Sequence, residues 1–181
     1  DVRGAVRFDH VWFAYEEDEY VLKDVSFEAQ AGEMVALVGA TGSGKSSIIN
    51  VLSLSYEFQR GEVTLDGHPI DSYALPGLRK NISVVLQDVF LFSDTVHNNI
   101  TLGDPAISRE RVIEASRAVG AHDFVERLPQ GYDTPVMERG GILSVGQRQL
   151  IAFIRAAVNQ PKVLILDEAT SSVDTRTEMQ I

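Results

Sequence analysis

Two short runs near the start of the chain, VRFDHVWF (residues 6 to 13) and VLKDVSF (residues 21 to 27), alternate apolar with polar positions or are rich in aromatics. Joined by the acidic EEDEY, they predict an antiparallel pair of strands. MVALV, residues 34 to 38, is apolar throughout and flanked by glycines, which predicts a strand buried on both faces. A glycine-rich turn follows, and Ile48, Ile49 and Leu52 then recur at helical spacing. EVTLDG (62 to 67) reads as a strand entering a turn, and ISVVLQ (82 to 87) as a strand ending on a glutamine. Between residues 88 and 141 the pattern becomes helical, with SRERVIEASRAV stopped by Gly120. A last apolar strand, VLIL at 163 to 166, runs into DEATSSVD. The order predicts an α/β core interrupted by an inserted helical block.

Composition narrows the partners more than the fold. The 181 residues suffice for one large domain, and no apolar run approaches the roughly 20 residues of a membrane helix. A formal net charge of −10 argues against nucleic acid as a partner, because binding there is driven by cations displacing counterions. With no cysteine there is neither a disulfide framework nor a thiolate metal site. The four histidines, His10, His68, His97 and His122, show no metal-ligand spacing. The opening Asp1-Val2-Arg3-Gly4 has no initiator Met and no leader, so a piece of a longer chain is expected.

GATGSGKSS, residues 39 to 47, fits G-x-x-x-x-G-K-[ST] between a predicted strand and a predicted helix. Gly39, Gly42 and Gly44 let backbone N–H groups crowd onto phosphate oxygens, with Thr41 and Ser43 between them, and the helix points its positive end at the same place. Lys45 is expected to reach the β and γ phosphates, Ser46 to ligate Mg²⁺, and Ser47 to complete the nucleotide-binding set. The competing reading is an ordinary glycine-rich turn. Asp167 closes the VLIL strand, where α/β sheets gather ligands, and is a candidate to hold Mg²⁺ through water. Glu168, one residue on, is a candidate to orient or deprotonate the attacking water.

LSVGQ, residues 143 to 147, lies between the loop and the acidic strand. With it, the ordered set Tyr15, phosphate loop, Gln87, LSVGQ, LILDE and SSVD resembles the ATP-binding domains of ABC transporters along essentially the whole chain. The resemblance implies a phosphate-loop NTPase fold of ABC type: an antiparallel β subdomain, a mostly parallel core sheet flanked by helices, and an inserted α-helical subdomain. Residues 1 to 87 and 142 to 181 would form the nucleotide-binding core, and 88 to 141 the helical part. The LFS and NI pattern after Gln87, in DVFLFSDTVHNNITLG, resembles the exporter branch.

That resemblance implies roles which the residues alone leave open. Tyr15 matches the aromatic that stacks on adenine, although packing on a strand core would explain it equally simply. Val21 matches the apolar residue that opens the next strand beside the nucleotide. Gln87 would touch Mg²⁺ or the attacking water, joining Lys45 and Glu168 in the catalytic set and Ser46 and Asp167 in the metal set. The signature turn, Ser144, Val145, Gly146 and Gln147, would contact the γ phosphate of ATP held by a second, facing domain; a helix start offers free N–H groups and a serine donor. The plainer reading of Ser144 is a helix cap. Val145 stands where glycine is usual, and a β-branched residue disfavours positive φ, so position 145 is expected to use ordinary backbone angles.

By the same resemblance the partners are a second ATP-binding domain, homo- or heterodimeric and head to tail around two ATP, and a membrane domain. Ser172 and Asp174 would lie at the dimer interface. The domain would sit at the cytoplasmic face of the membrane and drive efflux by ATP hydrolysis. MERGGI, residues 137 to 142, resembles the segment that meets the membrane domain, with Met137 where a glycine is usual. The family's switch histidine would fall beyond Ile181, so a truncated domain is expected. Upstream, the opening resembles the joint that follows about six membrane helices. The alternatives are a soluble ABC protein acting on DNA or ribosomes, and a kinase or GTPase. The charge and the LFS run speak against the first; LSVGQ, and the lack of a guanine-reading N-K-x-D, speak against the second.

Overall fold

A computed structural model describes residues 2–137 and 143–167. The chain divides after Ile82 into two compact units. In the first unit, β1 (Val6–Ala14) pairs antiparallel with β2 (Tyr20–Ala29) on one side and with β3 (Arg60–Leu65) on the other. A short β4 (His68–Pro69) completes the order β2-β1-β3-β4. The alternation in the sequence is realised: Val6, Phe8, Val11 and Phe13 of β1 are buried with Leu22, Val63 and Leu65. Strict alternation breaks between Phe8 and Val11, where the β1/β2 register shifts and His10 takes φ 51°. An extra residue there keeps Phe8 and Val11 on the buried face although they are three apart.

The β3–β4 turn also holds the start of the chain. The Asp66 carboxylate accepts from the backbone N–H groups of Arg3, Gly4 and Ala5. Burial raises its pKa, but those three bonds outweigh burial and hold it below the usual carboxylate range. Helix α1 (Lys45–Leu52) buries Ile49, Val51 and Leu52, close to the predicted stripe. Helix α2 (Leu75–Asn81), opened by Pro76, adds Leu78.

One expected strand is not formed. Residues 34 to 38 join no ladder among the described residues, and Met34 and Val38 are 95% and 93% exposed. An all-apolar run states what environment a segment needs; the strand exists only where neighbours pair both edges and layers cover both faces. Within its own unit the four-stranded sheet is built without it.

The second unit is organised on one helix. β5 (Ile82–Val85) pairs with β6 (Val163–Leu166), and α3 (Val96–Thr101), α4 (Arg109–Ala118), α5 (His122–Glu126) and α6 (Val145–Ala157) supply the helices. The expected stop at Gly120 is present, and the starts of α3 and α4 are capped by side chains. Thr95 and Ser108 accept from Asn98 N and Arg111 N at the N-termini of α3 and α4, and Gly120 takes φ +69° just after α4. Ile151 and Ile154 of α6 are completely buried in one cluster with Val96, Ile100, Val112 and Val125. Several buried polar groups of this unit are paired, whereas His97 Nδ1 and Gln149 Oε1 have no partner among the described residues. Asn99, wholly buried, accepts from Phe92 N and donates to the carbonyls of Phe92 and Thr95, and Arg155 of α6 donates to the carbonyls of Asn99 and Phe90. Burial lowers the pKa of Arg155, and carbonyls rather than a carboxylate offset that cost.

Candidate nucleotide site

The phosphate loop has the backbone its sequence demands. Gly42 and Gly44 take φ +83° and +92°, and a Cβ on Gly44 would lie 2.9 Å from Leu22 Cδ2. A side chain at 44 is therefore strained by conformation and would make Leu22 shift. Gly44 is also the N-cap of α1, and no side chain caps that end, so the helix presents its first N–H groups outward. A turn bond from Ser43 N to Ala40 O, 3.1 Å, closes the loop on itself, with Thr41 exposed between. The Lys45 ammonium reaches back to the carbonyls of Gly39 and Ala40, at 2.7 and 3.1 Å. Those carbonyls hold the cation over the loop, where it faces any anion the N–H groups gather.

Ser46 is exposed on the first turn of α1, whereas Ser47 is buried. The Ser47 hydroxyl lies 3.2 Å from Tyr15 OH, which also accepts from Asn50 Nδ2 at 2.9 Å. Tyr15 itself is 46% exposed, so part of its ring remains open. Val21, half-exposed, lies against the loop: its Cγ1 is 3.5 Å from the position a Cβ on Gly44 would occupy. Tyr15, the opening of β2 and the phosphate loop are thus one contiguous surface of the first unit.

In the second unit, the β5–β6 ladder sets Asp167 beside the end of β5, with Asp167 N donating to Val85 O at 3.0 Å. Gln87 lies two residues past β5, exposed, rather than ending the strand as expected: pairing stops at Val85, and the chain leaves the sheet before the glutamine. Its carbonyl accepts from Nε2 of Gln149, a side chain of α6 that is 1% exposed. Sequence reasoning passed over Gln149 and Arg155, which look like ordinary polar positions of an amphipathic helix. Ser46 and Asp167 offer hard oxygen donors of the kind Mg²⁺ prefers.

The signature turn is a helix start with a complete capping box. Ser144 Oγ accepts from Gln147 N at 3.2 Å, and Gln147 Oε1 accepts from Ser144 N at 2.9 Å. Val145 is the first residue of α6, has helical backbone angles and is 49% exposed; its side chain points to no strain, as expected. Gly146 is helical too, so glycine there is not required by φ. A hydroxyl that accepts from Gln147 N still has its own proton to donate. Glu168, Ser172 and Asp174 lie outside the described residues, as do residues 138 to 142.

Comparison with known proteins agrees with this chemistry. The protein-family model described as ABC transporter matches residues 22–171. A probable multidrug resistance ABC transporter ATP-binding/permease protein, YheH of Bacillus subtilis, is 50% identical over 98% of the chain and 26% of its own length. An ATP-dependent lipid A-core flippase of Legionella pneumophila is 49% identical over 99% of the chain and 31% of its own length. Among solved structures, that of a bacterial Atm1-family ABC exporter with ATP bound superposes with a TM-score of 0.92 at 44% identity, covering 99% of the chain and 31% of the exporter chain. The chain spans about a third or less of these relatives. It belongs to the ABC transporter family, has that family's phosphate-loop NTPase fold, and is an ATP-binding domain of it.

Proposed function

We propose that the chain is the motor domain of an ABC exporter, binding and hydrolysing ATP between two such domains arranged head to tail and coupling that cycle to efflux through a membrane domain. The observation that carries this is the pair of helix N-termini, α1 behind Gly39–Ser47 and α6 behind Leu143–Gln147, both built to face phosphate. In this reading Tyr15 and Val21 receive the base, and Gly39, Thr41, Gly42, Ser43, Gly44, Lys45, Ser46 and Ser47 receive the phosphates. Ser46, Gln87 and, through water, Asp167 hold Mg²⁺, which neutralises charge on the phosphate oxygens. Glu168 orients or deprotonates water, while Ser144, Val145, Gly146 and Gln147 approach the nucleotide of the facing domain. Ser172 and Asp174 belong to the interface between the two.

Residues 1 to 87 with 142 to 181 act as the nucleotide-binding core and 88 to 141 as the helical part. A membrane-domain partner is supported by Phe90 and Phe92, which are 60% and 53% exposed and packed edge to face at 5.0 Å. In this reading the pair belongs to the surface that meets the membrane domain. The location that follows is the cytoplasmic face of the membrane. No helix among the described residues is long and apolar enough to cross one. The test is Glu168→Gln in a complete version of the domain: with ATP it binds nucleotide, accumulates as a dimer and loses hydrolysis. Wild-type turnover in that variant removes Glu168 as the base.

A further inference from the structure

Tyr15 is a better-supported side chain than stacking on a base requires. A tyrosine used only for its π face needs no partner for its hydroxyl, and phenylalanine would serve as well. Here the hydroxyl is held twice, by Asn50 Nδ2 at 2.9 Å and by Ser47 Oγ at 3.2 Å, and both partners are on α1. The ring is gripped as well, edge to face against Phe13 at 4.7 Å and Tyr56 at 5.0 Å.

The backbone that carries Tyr15 is fixed from a third direction. Gln59 spans both polar atoms of the preceding residue, accepting from Ala14 N at 2.8 Å and donating to Ala14 O at 3.2 Å, while Gln59 N donates to Trp12 O. Asn50 works at both ends. Its side chain holds Tyr15, and its carbonyl accepts from Ser55 N at 2.9 Å and Tyr56 N at 3.4 Å, folding the segment after α1 back so that Tyr56 meets the Tyr15 ring. Amide side chains lose rotamer freedom when fixed, so two hydrogen bonds on the Tyr15 hydroxyl and two more on the residue before it imply a position that matters.

We propose that Asn50 and Gln59 are positioning residues for nucleotide binding, fixing the Tyr15 ring at a set height above the phosphate loop. The inference rests on the reading of Tyr15 as the base platform. Because α1 carries Lys45 and Ser46 at its start and Asn50 further along, one rigid helix sets the distance from platform to phosphates. The support thereby selects a nucleoside triphosphate over a bare polyphosphate. It does so by preorganisation, since an ordered ring spares the ligand the cost of ordering it.

The experiment is calorimetric titration of the full chain with ATP and, separately, with inorganic tripolyphosphate, which has no base. Tyr15→Phe, Asn50→Leu and Gln59→Met are expected to weaken ATP binding about three- to tenfold each, the worth of a lost hydrogen bond. Tripolyphosphate affinity is expected to remain at the wild-type value. Tyr15→Phe and Asn50→Leu combined should weaken ATP no more than Tyr15→Phe alone, because that variant already loses the Asn50 bond. Wild-type ATP affinity in Tyr15→Phe and Asn50→Leu, with a clear loss in Tyr15→Ala, would overturn the positioning role and leave the platform standing. Unchanged ATP affinity in Tyr15→Ala would overturn both. A parallel loss of tripolyphosphate in Asn50→Leu would mean that it merely supports α1, and would also overturn the proposal.

Discussion

The two helix starts proposed to face phosphate are built in opposite ways. At α1 the cap is a glycine at φ +92°, no side chain satisfies the first N–H groups, and the lysine that follows is turned back onto loop carbonyls. At α6 the cap is a serine in extended backbone, and a reciprocal box with Gln147 already satisfies both partners. The first is specialised for an anion at the expense of local stability; the second is a stable helix start that has one hydroxyl proton and exposed first-turn N–H groups to spare. The difference suits an order of events in the proposed cycle: the phosphate loop would grip ATP first, and the signature turn would add a second, weaker contact when another domain closes.

Lys45→Ala should break the strong side of this comparison most completely. Losing charge-assisted bonds of about 1.5 to 3 kcal/mol each is expected to weaken ATP about a hundredfold or more, read by titration. Folding should survive, because among the described residues the lysine's hydrogen bonds are to loop carbonyls.

The same glycine-to-alanine change at the two helix starts should then have opposite signs. Gly44→Ala meets a positive φ and Leu22, and is expected to lower stability by about 1 to 2 kcal/mol and impair tripolyphosphate binding. Gly146→Ala sits in helical backbone, and is expected to raise stability by about 0.5 to 1 kcal/mol while reducing ATP-dependent association. Thermal unfolding of both variants reads the contrast; destabilisation of equal size would erase it. Ser144→Ala comes last in size. It should cost about 1 kcal/mol of stability through the lost cap, leave ATP binding to the single chain unchanged, and weaken association.

Much of this was legible in the sequence because its signals are local. The alternation of Val6 to Phe13, the stop at Gly120, the serine cap at 144 and the loop glycines each act within a few residues, and each is found where its pattern points. The behaviour of Val145 was legible for the same reason: a β-branched residue reports its own φ. Segment 34 to 38 was not, since strand formation depends on partners distant in the chain. Nor was the support of Tyr15. Asn50 lies 35 positions away and Gln59 is 45 positions from its partner Ala14, and neither stands in a motif. Gln149 and Arg155 were hidden likewise, their carbonyl partners being 62 and 65 residues distant.

The central claim, that the signature turn of one chain completes the phosphate loop of another, is tested most directly by complementation. In the Glu168→Gln background, Lys45→Ala lacks a working loop but keeps its signature turn, and Ser144→Arg has the reverse defect. Sedimentation velocity with Mg²⁺ and ATP is expected to show each variant monomeric alone and a dimer only in their mixture, where one composite site is whole. A mixture that stays monomeric while the Glu168→Gln parent dimerises, or Ser144→Arg dimerising alone as well as that parent, would contradict the account.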